Sequence, residues 1–127
     1  MLNIILVSTR QKTLKPFINA LQSDQEVSLD LLDSPAAVLD QVRQQAPHLV
    51  IIDDHLEKMV PHDLAMELLQ ANALVNIAMV SSMDEEEFHE ATEGLGLLPR
   101  LLSPPGAEEA ADLLGRQREM PGLFFSK

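Results

Sequence analysis

Cysteine is absent from the 127 residues, which excludes disulfides, thiolate metal ligands and a cysteine nucleophile together. Basic residues are scarce: nine Lys and Arg stand against twenty Asp and Glu, for a formal net charge of -11. A phosphate backbone or an anionic membrane surface would be repelled at long range, so nucleic acid and membrane are not expected partners. No apolar run approaches the roughly 20 residues of a membrane-spanning helix. The apolar opening Leu2 to Val7 has no basic region before it and no small-residue cleavage site after it, so it reads as a strand and not as a signal peptide. Glycine-rich phosphate loops are missing too. The turn after that first strand reads STRQKT, which disfavours a P-loop or a dinucleotide site. No Gly-x-Ser-x-Gly elbow marks a hydrolase.

What is present fits one packed domain. This length leaves room for a single core, and 46% hydrophobic against 23% charged residues is the balance of a globular chain. Residues 1–119 are expected to form the domain and 120–127 a C-terminal tail, with a reducing cytoplasm as the expected location.

Apolar runs of strand length alternate with helical patterns. After Leu2 to Val7, Leu14, Phe17, Ile18 and Leu21 recur at helical spacing, with Thr13 as the expected cap and Pro16 in the first turn. A weaker strand runs from Val27 to Leu32. Ser34 and Pro35 open a second helix whose inner face is expected to carry Val38, Val42 and Ala46. Leu49 to Ile52 is a wholly aliphatic strand that ends in Asp53 and Asp54. Pro61 to Asn72 is a third helix and Ile77 to Val80 a fourth strand. The Ser82 to Glu85 spacing matches a capping box for a helix with Phe88, Ala91, Thr92 and Leu95 inward, and Gly94 and Gly96 can end it. Arg100 to Leu102 reads as a fifth strand, and Ala107, Ala110, Ala111 and Leu114 mark a fifth helix.

Five strands alternating with five helices, without a hairpin signal, imply right-handed crossovers and a parallel sheet covered on both faces. That is an α/β, three-layer αβα sandwich. Functional crevices in such folds lie beyond the carboxyl ends of the strands. The residues there are Ser8 and Thr9, Asp53 and Asp54, Ser81 and Ser82, and Ser103.

At those positions the chain resembles the receiver domains of two-component response regulators, from Asn3 to about Leu114. PHLVIIDDHL, residues 47–56, is similar to the family's third strand and its closing aspartate, and this implies that Asp53 stands at the phosphoacceptor position. IAMVSS resembles the fourth strand, with Ser81 as the Ser/Thr switch. GLGLLPRLLSPP resembles the segment that usually ends in lysine and proline, with Pro104 as the proline. The resemblance implies a flavodoxin-like topology with strand order 2-1-3-4-5.

The departures are equally specific. The two acidic residues that hold Mg2+ in receivers are replaced by Ser8 and Thr9, and the lysine by Ser103. The aromatic reporter on the fifth strand is replaced by Arg100. Only Asp53, with Asp54 at most, is left for a metal. Moving a phosphoryl group onto a carboxylate gathers negative charge, which enzymes offset with a metal and fixed cations. Without them, Asp53 reads chemically as a polar residue closing a buried strand, and no cofactor is expected unless phosphorylation competence, and with it Mg2+, is retained.

The remaining features have plainer readings beside sharper ones. Ser8, Thr9 and Ser103 suit loop backbone groups as well as an anion pocket. His55 and His62 near the two aspartates fit no common ligand spacing, and His55 and Asp54 are expected to diverge. Asp84 to Glu87 opposes the positive end of a helix dipole. Leu123, Phe124 and Phe125 form an apolar cluster in the tail, expected to dock on this domain or on a second copy.

The leading expectation is a non-enzymatic pseudo-receiver in phosphorelay signalling, acting by protein–protein interaction without Mg2+-dependent phosphorylation. The alternative is a working receiver phosphorylated at Asp53 by a histidine kinase. A small flavodoxin-like ligand-binding protein or enzyme comes third. Expected partners are a signalling protein or kinase, with a homodimer through the fourth helix, fifth strand and fifth helix, a face expected to include Glu87, Ala91, Arg100 and Ala110.

Overall fold

A computed structural model of the chain describes residues 2–119; the cluster of Leu123, Phe124 and Phe125 lies outside the described residues. The elements alternate in order: β1 (Leu2–Val7), α1 (Lys15–Gln22), β2 (Val27–Leu32), α2 (Pro35–Gln44), β3 (Leu49–Ile52), α3 (Pro61–Ala71), β4 (Asn76–Ser81), α4 (Glu85–Ala91), β5 (Leu101–Leu102) and α5 (Ala107–Glu119). All neighbouring strands pair in parallel in the order β2-β1-β3-β4-β5. This is the expected flavodoxin-like sandwich.

The continuous apolar runs follow from burial on two faces at once. Side chains alternate across a strand, so Ile4, Leu6, Leu49, Ile51 and Val80 join Phe17, Leu21, Ala110 and Leu113 beneath α1 and α5. Ile5, Val7, Val50, Ile52 and Ile77 face the other way, onto Val38, Val42, Leu64, Leu68 and Phe88 of α2, α3 and α4. Two cores share one sheet, and every residue of β3 is buried.

Several local expectations are corrected. Thr13 does not cap α1: Leu14 holds that place without a side-chain cap, because its own side chain is fully buried in the core. The backbone N–H groups of Thr13 and Leu14 bond Arg10 O instead, closing a turn before the helix. Ser34 does cap α2, accepting from Ala37 N at 3.2 Å. That helix stops at Gln44, where the chain turns extended at Gln45 towards Pro47. Ala46 is therefore exposed, and Leu39 is buried in its stead. Helix α4 is capped by Asp84, which accepts from Glu87 N at 2.8 Å, and not by Ser82; β4 runs on to Ser81, so Ser82 and Met83 are spent on the turn. Ala91 is exposed. Gly94 and Gly96 adopt φ of 88° and 69°, a left-handed conformation that costs glycine little, and they reverse the chain after α4.

Strand β5 is only two residues long, without Arg100. On α5 the inward stripe is Ala110, Leu113, Leu114 and Gln117, whereas Ala107 and Ala111 are exposed. The offsets of three, four and seven residues suit a helix face, but the polar Gln117 hides the phase. Ala110 is fully buried and so cannot belong to the exposed docking face that was expected to include it.

Candidate functional site

The register of β1 on β3 sets Val7 beside Ile52, so Ser8 and Asp53 leave the sheet at the same level. Both are fully buried, and Ser8 Oγ donates to Asp53 Oδ2 at 2.7 Å. The next cation along the first loop completes the arrangement. Arg10 Nε donates to Asp53 Oδ2 at 2.8 Å, and Arg10 Nη2 to Asp53 Oδ1 at 2.8 Å. This is a two-pronged contact of the kind that planar guanidinium makes with carboxylate. Asp54 N donates to Asp53 Oδ1 at 2.9 Å. Each Asp53 oxygen thus accepts two hydrogen bonds, which matches the roughly four lone-pair sites of a carboxylate. Nothing is left over for another donor or a metal.

Arg10 Nη2 reaches further, to Asp54 Oδ1 at 2.9 Å and to Ser103 Oγ at 2.8 Å. One side chain therefore ties together the loops after β1, β3 and β5. Ser103 brings no charge of its own, and the positive charge that it meets is delivered from Arg10. Thr9 remains outside this network: it is exposed, and its hydroxyl donates to His55 O at 2.9 Å. Ser81, also buried, accepts Met83 N at 3.1 Å and shapes the turn into α4. Arg100 and His62 are half-buried; Arg100 lines a depression apart from the site, whereas His62 lines one shared with Asp54, Ser81 and Ser82.

One expectation about Asp54 is overturned: it does not diverge from His55, whose Nδ1 lies 2.9 Å from Asp54 Oδ1. The chain has already left the strand at Ile52, and the Asp53 and Asp54 carboxylates meet the same Arg10 nitrogen. Arg10 itself was missed, and with it the cation that Asp53 was thought to lack. Its only signal in the sequence is that it is the first basic residue after β1, within STRQKT.

Burial by itself would raise the Asp53 pKa, but the bonds from Arg10 and Ser8, with the Arg10 charge, outweigh it and hold the carboxyl below its ordinary value. The bond to Asp53 in turn raises Arg10 above its ordinary value. At the opposite end of β3, burial depresses His48, whose Nδ1 accepts Asn3 N at 2.9 Å and so is unprotonated. Both groups favour the deprotonated form when folded, so each contributes stability at higher pH that is lost as pH falls. Urea midpoints should decline in two steps, the first below about pH 6.5 from His48 and the second below about pH 4 from Asp53. His48→Gln should remove the upper step and leave the lower one; a profile flat from pH 7 to pH 3 would contradict both assignments.

No protein-family model matches the sequence, and no curated protein matches it. Solved structures do. The two-component response regulator from Clostridium difficile superposes with a TM-score of 0.80 at 13% identity, covering 96% of this chain and 100% of that one. The chemotaxis response regulator CheY4 of Vibrio cholerae gives 0.79 at 14%, over 92% and 98%. The receiver domain of the putative response regulator NarL from Mycobacterium tuberculosis gives 0.77 at 16%, over 94% and 98%. The class is thus a five-stranded, doubly wound α/β sandwich. Within that class, the fold is that of response regulator receiver domains.

Receiver domains use Mg2+ beside the acceptor aspartate, and the donor set here does not suit it. Asp53, Asp54 and His55 place one potential ligand atom each within 4.8 Å of one another. However, both Asp53 oxygens and Asp54 Oδ1 are engaged by the Arg10 guanidinium. Mg2+ demands near-ideal octahedral oxygen coordination, and here a fixed cation already engages both carboxylates.

Proposed function

We propose that the chain is a pseudo-receiver, a non-enzymatic protein-interaction module of two-component signalling whose state is not set by Mg2+-dependent phosphorylation of Asp53. The observation that carries this is the Arg10–Asp53 pair. An acceptor carboxylate must offer a free lone pair in line with the transferring phosphorus, and the cations must face the phosphoryl oxygens. Here the cation grips the nucleophile itself and the lone pairs are spent. The partner is a histidine kinase or another signalling protein, and nucleic acid is unsuited to a chain of net charge -11. No helix among the described residues is long and apolar enough to cross a membrane, and with the absence of cysteine this suits work in the cytoplasm.

Titration with beryllium fluoride and Mg2+, followed by amide NMR, tests the reading. The amides of Asp53, Asp54, Ser81 and Ser103 are expected to stay within the small, diffuse shifts that Mg2+ alone produces. Saturable shifts at those four, or Mg2+-dependent labelling by a small phosphodonor that disappears in Asp53→Asn, would establish a working receiver instead.

A further inference from the structure

Four of the six methionines of the chain line two adjoining depressions on the side of the domain formed by α3 and the start of α4. Met79 and Met83 line one of about 390 Å3; Met59 and Met66 line the other, of about 680 Å3. Val60 lines both and joins them. Val60, Met66 and Met83 are 57%, 41% and 46% exposed. Apolar side chains of this size gain by being covered, and methionine, unbranched and polarizable, suits a surface that moulds itself to an incoming side chain.

The surrounding charge is predominantly negative. Asp63 and Glu67 line the larger depression, and Asp84 to Glu87 follow directly on Met83, all exposed. None of these six carboxylates has an ion pair among the described residues. Lys58 is the one cation lining either depression. An apolar trough with methionine walls and an acidic rim is complementary to an amphipathic helix whose apolar face fills the trough and whose flanks are basic. A second copy of this acidic chain would bring like charge to the rim.

From this arrangement we infer that the α3–α4 trough is a docking surface for a basic amphipathic helix of a partner protein. The inference rests on the reading of the chain as an interaction module but not on the chemical state of Asp53. Labelling of Asp53 would therefore sink the pseudo-receiver reading and leave this one standing.

The test uses a synthetic helix of leucine and lysine, with leucine on one face. Its scrambled isomer and a leucine–glutamate counterpart serve as controls. Binding is followed by the methionine ε-methyl NMR signals of the full chain. The amphipathic basic peptide should shift the Met59, Met66, Met79 and Met83 methyls saturably, and the scrambled and acidic peptides should bind at least about tenfold more weakly. Val60→Ser with Met83→Ser, and separately Met66→Ser, should each weaken binding by about tenfold or more. These exposed positions leave the core intact, which an unchanged thermal midpoint would verify. Equal binding by the scrambled peptide, affinity untouched by the substitutions, or no binding would overturn the inference. So would concentration-dependent self-association that shifts the same four methyls.

Discussion

Replacing Arg10 by alanine should lower stability by about 3 kcal/mol, read as a fall in the urea midpoint at unchanged m-value. Asp53 is fully buried and would keep two of its four hydrogen bonds, from Ser8 and Asp54 N, but would lose its counter-charge. Breaking a buried pair from one side costs about 3–5 kcal/mol. The lower end applies because the Arg10 side chain is 18% exposed and water can partly screen the orphaned charge. Against a total of about 5–15 kcal/mol for a domain, the loss is large.

The pH dependence of that variant separates electrostatics from lost packing. With Arg10 gone, burial dominates and the Asp53 pKa moves above its ordinary value. A raised folded pKa stabilises the protein at low pH and destabilises it as pH rises through that value. The gap between variant and parent should therefore narrow in acid. Asp53→Asn in the Arg10→Ala background should recover part of the loss, whereas Arg10→Lys, which keeps the charge without the planar fork, should fall between. An Arg10→Ala variant as stable as the parent at pH 7 would contradict the role assigned to the pair.

Phe17→Ala is expected to cost about 3–5 kcal/mol, the range for emptying a buried aromatic site. Phe17 is fully buried between the sheet and α5. Helix α1 has only eight residues and is too short to hold its form without tertiary packing. The cost should reach the site as well. Residues 10–14 lead into α1 through the turn closed on Arg10 O, so loosening the helix loosens the loop that carries Arg10. Hydrogen exchange at Leu14 and Ile18 should accelerate together in the variant. Loss of protection confined to α5 would instead separate Phe17 from the positioning of Arg10.

How much of this was readable from the chain follows from the range of each interaction. The strands Leu2–Val7 and Val27–Leu32 and the aliphatic Leu49–Ile52 stand where their residue pattern puts them, because alternation and apolar continuity concern neighbours in sequence. Helix phases and caps were less legible. Thr13 and Ser82 are chemically adequate caps, and both lost that place because Leu14 is drawn into the core and β4 extends to Ser81. Gln117 is polar by composition and buried by position. Such outcomes depend on what an element packs against.

The aspartate at the end of β3 illustrates the same division. Its place after a buried strand, facing the crevice side of the sheet, was evident from the residues alone. The company that it keeps was not. Arg10 lies 43 residues away in the chain and Ser103 lies 93 from Arg10, and no local pattern links them. They meet because parallel pairing of β1 with β3 and of β4 with β5 brings three strand ends to one edge of the sheet, and because a long guanidinium can span the gap. Local periodicity was enough for the architecture and for an aspartate at the end of β3; the cation that fills the site is a consequence of long-range register and side-chain reach, which exist only once the sheet has formed.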